Sequence, residues 1–418
     1  MRLLPDRGPW RVPAFRRVWT AAAVSAIGSR ITRTALPVIA VSSLAASPRQ
    51  AALLGALSYG PGAVVGLVAG GWVDRRRKRT LLVAADLVRA ALVLSLPIAH
   101  AFGAMRLPHV YLVACIVGAA TALFHLTELS YLPELVDGEL LVDANGVTEA
   151  TESVAEITGP ALAGGLIRAV GAPLAVTLDA LSYLWSAAFL RGLPDATPAD
   201  VGPRASILAD LRTGASALWR DPVVRRLALS ELGTMIASGT FTGLYMLFAL
   251  RTLDLSEATV GVVISFGGVG ALVGALLAPR LARGRSIAWL APLAFVSQAA
   301  ALLIPAARGA RWLVVAFLVV HQLVGDGART AYGVLAISLR QRRLAPATMG
   351  RANAALQAIG TALLVVASLA IGELAEVVGL RTALWIGLAT GGLAVVPLWP
   401  LGSLVRITDT ARSAAPPG

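Results

Sequence analysis

The chain has 418 residues, of which 57% are apolar and only 14% charged, whereas a soluble domain carries about 25% charged residues. So few charges cannot cover the water-facing surface of a soluble protein of this length, and lipid is the expected solvent. A net charge of +13 would suggest nucleic-acid binding in a soluble protein, but the positions of the arginines indicate another role.

Twelve apolar runs are each long enough to cross about 30 Å of hydrocarbon and are predicted to be membrane spans. The first, over 18–46, follows several arginines but exceeds the roughly 7–15 apolar residues of a signal peptide, so it is counted as span 1. The predicted centres are Gly28, Pro61, Leu92, Gly118, Glu156, Leu184, Ser238, Gly268, Phe295, His321, Leu364 and Leu388.

Most of the basic residues lie in the connections on one side of these spans, including the run from Arg75 to Arg79. The positive-inside rule therefore predicts a multi-pass protein of the bacterial inner membrane with both termini in the cytoplasm. The excess charge is then a topology and lipid-surface signal, and no nucleic-acid partner is expected.

One long polar connection divides the spans six and six, which predicts an all-α integral membrane protein made of two six-helix bundles. The expected organisation is an N-terminal bundle over 1–192, a cytoplasmic linker with an amphipathic helix over 193–221, a C-terminal bundle over 222–405 and a cytoplasmic tail over 406–418. The amphipathic helix is predicted at 206–219.

The two halves of the sequence repeat one another at a nearly constant offset. This repeat predicts two equivalent halves in the same orientation, with a site between them and rocking of the halves as the source of alternating access. The matching pairs at an offset of 208 are Ser130 and Ser338, Ala144 and Ala352, Asn145 and Asn353, Gly164 and Gly372, Leu166 and Leu374, Val170 and Val378, and Gly171 and Gly379; Arg16-Arg17 and Arg225-Arg226 match at 209.

The segment 70–79 resembles the Gly-x-x-x-Asp-Arg-x-Gly-Arg-Arg signature of the major facilitator superfamily. The matching residues are Gly70, Asp74, Arg75, Lys78 and Arg79, while Arg77 replaces the second glycine. The resemblance implies a conformational gate that holds the cytoplasmic ends of the two halves together. The alternative is that the basic run serves only as a topology anchor.

A second segment, 159–165, is similar to the Gly-Pro-x-x-x-Gly-Gly motif of antiporters in that superfamily. Gly159, Pro160 and Gly164 are expected to let span 5 bend or pack closely, as part of the gate or as a simple packing kink. Further motifs, at 131–136, 179–183 and 350–354, resemble the drug and macrolide exporters of the superfamily. This resemblance implies the major facilitator fold and proton antiport, with antibiotic resistance as a possible role.

Ionisable residues within the spans are unusual, because each costs about 2.5–3.5 kcal/mol at a helix centre unless it has a partner or a wet cavity. The resemblance places spans 1, 4, 7 and 10 around the central cavity, which favours a polar route for substrate and protons. Glu128 is the first candidate for the proton carrier and Asp326 the second, although any of these residues could instead form a static pair, as is expected of Asp86 and Arg89. The predicted pathway residues are Arg30, Arg33, His125, Glu128, Glu152, Glu156, Glu231, His321, Asp326 and Arg329.

The sequence therefore predicts a monomeric transporter without a cofactor or metal, which exports a small amphipathic molecule in exchange for protons. Its other partners are membrane lipids. The alternatives are an importer or uniporter of a small metabolite with the same fold, and an integral-membrane enzyme acting on a lipid-linked substrate.

Overall fold

The computed structural model describes residues 8–69, 72–73, 75–136, 138–194, 207–282 and 286–399. Their regular structure is helical. The spans are Pro13–Val38 with the π-helical turn Ile39–Ser43 (span 1), Pro48–Val68 (2), Lys78–Ala101 (3), Leu107–Leu135 (4), Gly138–Val170 (5), Ala172–Ala175 with Thr177–Leu190 (6), Pro222–Leu247 with the π turn Phe248–Thr252 (7), Glu257–Ala282 (8), Ser286–Ala301 with Leu303–Ala306 (9), Arg311–Val320, the π turn His321–Gly325 and Asp326–Arg343 (10), Pro346–Val378 (11), and Leu380–Gly391 with the 3₁₀ turn Gly392–Leu398 (12). A 3₁₀ turn at Gly8–Arg11 precedes span 1, and a separate helix, Ile207–Arg220, lies between spans 6 and 7.

Ten helices in the described residues are long and apolar enough to cross a membrane. Spans 1 and 5 are the other two long helices, and their arginines and glutamates lower the hydropathy of otherwise apolar sequences. The predicted twelve-helix, all-α membrane fold is thereby confirmed, and each predicted centre lies within its helix or its π turn.

Local sequence explains where several spans begin. Span 2 starts with a capping box, in which the Ser47 hydroxyl accepts from the Gln50 amide and the Gln50 side chain accepts from the Ser47 amide. Span 7 starts after Asp221, whose carboxylate accepts from the amides of Val223 and Val224 at 2.8 and 3.0 Å. These caps satisfy amides that have no partner inside the helix.

The backbone repeats with the same offset as the sequence. Spans 5 and 11 are both 33 residues long and begin and end 208 positions apart. Gly171 and Gly379, which follow them, have φ of 85° and 83°. The π turns that extend spans 1 and 7 are 209 positions apart. Ala45 and Asp254, which are the non-glycine residues with positive φ among those the structure describes, are separated by the same offset. The sequence repeat is therefore also a structural one.

The described residues form two compact units, one drawn from 1–204 and 246–265 and the other from 205–245 and 266–418. In the second unit, the helix predicted at 206–219 runs from Ile207 to Arg220. Leu218 packs in a cluster with Val224 and Leu356, and Asp210 forms an ion pair with Arg351 at 2.9 Å. One face of this helix is thus tied to spans 7 and 11.

Candidate functional site

Four of the predicted pathway residues form one ion-pair cluster in the first unit. Arg30 of span 1 contacts Glu152 at 2.9 Å and Glu156 at 2.5 Å, and Arg33 contacts Glu156 at 3.0 Å. Arg30 is mostly enclosed, with 15% of its side chain exposed, whereas Arg33 and Glu156 are 48% and 44% exposed. The cluster therefore runs from the helix interface to an accessible surface.

Helix geometry and a glycine produce this arrangement. Residues three or four apart lie on one face of a helix, which aligns Arg30 with Arg33 and Glu152 with Glu156. A Cβ at Gly159 would overlap the Cβ and Cγ of Arg30. Gly159 thus provides the space in which the Arg30 side chain crosses span 5.

His125 and Glu128 of span 4 add to the same charged region. The His125 ring nitrogen Nδ1 lies 3.7 Å from a Glu128 carboxylate oxygen. His125 is exposed and Glu128 is mostly buried. Both are within electrostatic reach of Glu152. The structure therefore brings together all six predicted pathway residues of the first half.

The predicted residues of the second half occupy two separate places in the second unit. Glu231 of span 7 pairs with Arg340 of span 10 at 3.0 Å. Asp326 pairs with Arg329 at 3.2 Å, one turn apart on span 10. His321 is buried in the π turn, with its ring centroid 5.9 Å from that of Phe241. π turns within helices are frequent at functional sites.

The segment expected to form the cytoplasmic gate is described only in part, because Gly70 and Asp74 lie outside the described residues. Lys78 is buried; its ammonium forms an ion pair with Glu134 and donates to the Ser130 carbonyl at 3.0 Å. Arg79 donates to the Leu193 carbonyl at 3.1 Å, and Arg75 is exposed. Lys78 and Arg79 thus connect the start of span 3 to the ends of spans 4 and 6.

The Gly-Pro segment of span 5 packs closely on the start of span 8. A Cβ at Gly164 would lie 2.7 Å from the Glu257 carbonyl oxygen and 3.1 Å from the Gly261 Cα. The Ala161 amide, next to Pro160, donates to the Ser265 hydroxyl at 2.9 Å. Small residues and this hydrogen bond allow the two backbones to approach each other, as in other membrane helix pairs.

A further cluster of polar side chains is buried where spans 1, 3 and 6 pack together. Asp86 and Arg89 form the expected pair and are 0% and 2% exposed. Asp179 of span 6 is also 0% exposed, and a Cβ at Gly28 of span 1 would lie 2.6 Å from its carboxylate.

Sequence reasoning overlooked four residues that the structure makes important: Glu134, Asp179, Ser265 and Arg340. Glu134 and Asp179 lie inside quoted motifs, so their charge within an apolar helix could have identified them. Arg340 stands among the arginines that the positive-inside rule assigns to the cytoplasmic side, and nothing in the sequence distinguishes Ser265 from other serines in spans.

Residues 18–363 match the family model of the Major Facilitator Superfamily. The chain belongs to this superfamily. Its members are transporters, so the chain is a multi-pass membrane transporter for a small molecule.

Relatives in the superfamily include exporters. The chain is 28% identical to an uncharacterised superfamily transporter, y4rN of Sinorhizobium fredii, over 358 residues. This alignment covers 84% of the chain and 85% of y4rN. It is 29% identical to the multidrug efflux pump Tap of Mycolicibacterium fortuitum, over 65% of the chain and 66% of Tap. It is 28% identical to the enterobactin exporter EntS of Citrobacter koseri, over 65% of the chain and 64% of EntS. The match to these two exporters thus spans slightly less than two thirds of their length.

Solved structures confirm the major facilitator fold. A bacterial homologue of the iron transporter ferroportin in an inward-facing state has a TM-score of 0.71 at 15% identity, covering 94% of this chain and 98% of that one. The nucleoside transporter NupG has a TM-score of 0.72 at 13% identity, covering 93% of this chain and 99% of NupG. At such identities the likeness concerns the fold alone.

Proposed function

We propose that this transporter exports a small amphipathic molecule, such as a drug, antibiotic or secondary metabolite, in exchange for protons. The observation that carries the proposal is the charged cluster on spans 1, 4 and 5. It combines two arginines, three glutamates and a histidine at helix faces that are partly accessible.

The exposure of these charges favours a water-filled route. Arg33, Glu156 and His125 each expose 44% or more of the side chain, and lipid contact at such positions would cost several kcal/mol per charge. A route that admits water removes this cost and gives polar substrates a path. The mixture of signs suits amphipathic molecules better than a single ion.

Proton exchange follows from the same arrangement. Glu128 is mostly buried between His125 and the glutamates of span 5. A carboxylate whose access to water alternates can load a proton on one side and release it on the other. Asp326, beside Arg329 in the second unit, is the second candidate. The efflux names of Tap and EntS support the outward direction.

The first test measures efflux of ethidium and a bisbenzimide dye from cells that express the chain and lack their own major pumps. We expect lower dye accumulation than in cells with an empty vector, and the difference should disappear with a protonophore. Higher accumulation would indicate an importer, and efflux that is insensitive to the protonophore would contradict proton exchange.

The second test measures dye-driven proton movement in vesicles that carry Glu128→Gln, Asp326→Asn or the control Glu149→Gln. Glu149 is an exposed glutamate on span 5, so its substitution should leave proton movement unchanged. We expect the first variant, or both of the first two, to lose dye-driven proton movement. Unchanged movement in both would remove these carboxylates from the proposal.

A further inference from the structure

Two carboxylates and one guanidinium are buried together within the first unit. Asp86 and Arg89 belong to span 3 and Asp179 to span 6, and each is 2% exposed or less. Tyr183 of span 6 is 1% exposed and lies beside them. The three ionisable groups would carry one net negative charge if both acids were ionised, inside a helix bundle embedded in lipid.

Arg89 is committed to Asp86. Its guanidinium forms the ion pair with the Asp86 carboxylate and lies 4.3 Å from the ring centroids of both Phe124 and Tyr183. Two flanking rings and a carboxylate hold the guanidinium in place. Asp86 is therefore the neutralised acid of the cluster, and Asp179 is the acid in excess.

The two oxygens of the Asp179 carboxyl group differ. Oδ1 accepts a hydrogen bond from the Ser182 hydroxyl at 3.1 Å. Oδ2 and the Thr32 hydroxyl face each other, but neither atom has a well-formed hydrogen bond within the described part of the chain. Either the Thr32 hydroxyl donates to an ionised Oδ2, or a protonated Oδ2 donates to the Thr32 oxygen; only the second arrangement also removes the excess negative charge from this buried site.

We propose that Asp179 is a proton-binding site of this transporter. In the binding step an O–H bond of a hydronium ion in the water route breaks and an O–H bond forms on Asp179 Oδ2, which neutralises the excess carboxylate. Its role in transport rests on the proposed proton exchange. The charged and titratable groups around it are Asp86 and Arg89 from span 3, Tyr183 from its own helix and, through Asp86, Glu128 from span 4.

Two hydroxyl groups lead from this site to the segment of span 1 that carries the charged cluster. The Tyr183 hydroxyl lies 3.0 Å from the Ser29 hydroxyl. Ser29 is only partly buried and directly precedes Arg30, which is paired with Glu152 and Glu156. Span 1 thus has the proton site on one face and the ion pairs on the other, so a change at one can be transmitted to the other through a single helix.

The first experiment is infrared spectroscopy of the purified full chain in lipid nanodiscs, titrated with acid and base. We expect the carbonyl band of a protonated carboxyl group in the difference spectrum between the wild type and Asp179→Asn, to which Glu128 and Asp326 do not contribute because both proteins contain them. The difference spectrum between the wild type and Asp254→Asn, which changes an exposed aspartate, should lack this band. Thr32→Val should shift the band instead of removing it, because the carboxyl group loses its acceptor. A difference spectrum of Asp179→Asn without the band would overturn the proposal.

The second experiment measures ethidium transport driven by an imposed pH gradient in inverted vesicles. We expect Asp179→Asn to reduce this transport to the level of empty vesicles, while ethidium still moves down its own gradient. Gradient-driven transport that survives in Asp179→Asn would contradict the role of Asp179 and leave the proposed export intact. A wild type that ignores the pH gradient would instead refute proton-driven export, and the infrared band would still decide whether Asp179 binds a proton.

Discussion

Spans 5 and 11 share a length and a register but differ in chemistry. At the offset of 208, Glu152 corresponds to Gly360, and Glu156 corresponds to Leu364. The helix of the first half carries acids where that of the second half carries no charge. The repeat thus preserves the backbone of the two helices, whereas the acids that pair with span 1 belong to span 5 alone.

The helices that pack against them, span 1 against span 5 and span 7 against span 11, differ in the same way: a charged residue in the first half corresponds to glycine in the second. Arg30 corresponds to Gly239 at the offset of 209, and Gly159 corresponds to Ala367. In the first unit Gly159 makes room for the Arg30 side chain; in the second, Gly239 makes room for Ala367, whose Cβ would lie 2.9 Å from a Cβ added at Gly239. The glycine lies on span 5 in the first unit and on span 7 in the second. The contact between spans 1 and 5 is therefore electrostatic, whereas the corresponding contact between spans 7 and 11 is apolar.

The largest effect is expected when the electrostatic contact is broken. Arg30→Leu leaves the carboxylates of Glu152 and Glu156 with only Arg33, and should lower the free energy of unfolding by about 3 kcal/mol and abolish dye efflux. Unfolding of the purified protein can be followed by tryptophan fluorescence in denaturant.

The triple variant Arg30→Leu/Glu152→Gln/Glu156→Leu removes both carboxylates with their partner and makes this contact resemble that of the second half. It should recover much of the lost stability, because an apolar pair replaces an ion pair, while efflux stays absent. Efflux that returns with stability would show that the ion pair serves only to hold the helices together. Glu149→Gln is the matched control, for which little change is expected.

A smaller effect is expected at the glycine that accommodates Arg30. Gly159→Ala places a methyl group in overlap with the Cβ of Arg30 and only 2.6 Å from its Cγ. It should lower the free energy of unfolding by roughly 1–3 kcal/mol and slow dye efflux. Gly165→Ala is the control, since a Cβ there meets nothing within 4 Å. If both substitutions lowered stability and efflux equally, the loss would come from the added methyl group in span 5 itself and not from its contact with Arg30.

The smallest effect is expected at the contact between spans 5 and 8. Ser265→Ala removes the acceptor of the Ala161 amide and should cost about 1 kcal/mol of stability; faster hydrogen exchange of that amide would report the loss. The control is Ser338→Ala, because the Ser338 hydroxyl donates within its own helix, to the Val334 carbonyl at 2.8 Å. Unchanged exchange at Ala161 would mean that the amide has another acceptor.

Much of the fold was predictable, because lipid makes hydropathy and length decisive for each helix. The repeat was also readable, and the π turns that end spans 1 and 7 follow its offset. The pairing of charges was only partly predictable. Arg30 and Glu156 stand out in the sequence as charges within apolar spans. Arg340, the partner of Glu231, lies among the arginines near the end of span 10, and a sequence position near a helix end does not reveal burial.

The sequence alone determined that lipid is the main solvent of this protein, how many helices cross it, where their centres lie, and that the two halves repeat. These properties follow from composition and periodicity within single segments. Only the tertiary structure decided that Arg30 pairs across Gly159 with span 5, and that Asp179 is buried near Asp86 and Arg89. Such partners lie some 90 to 150 positions apart, and their distances depend on how helices pack, which no local pattern encodes.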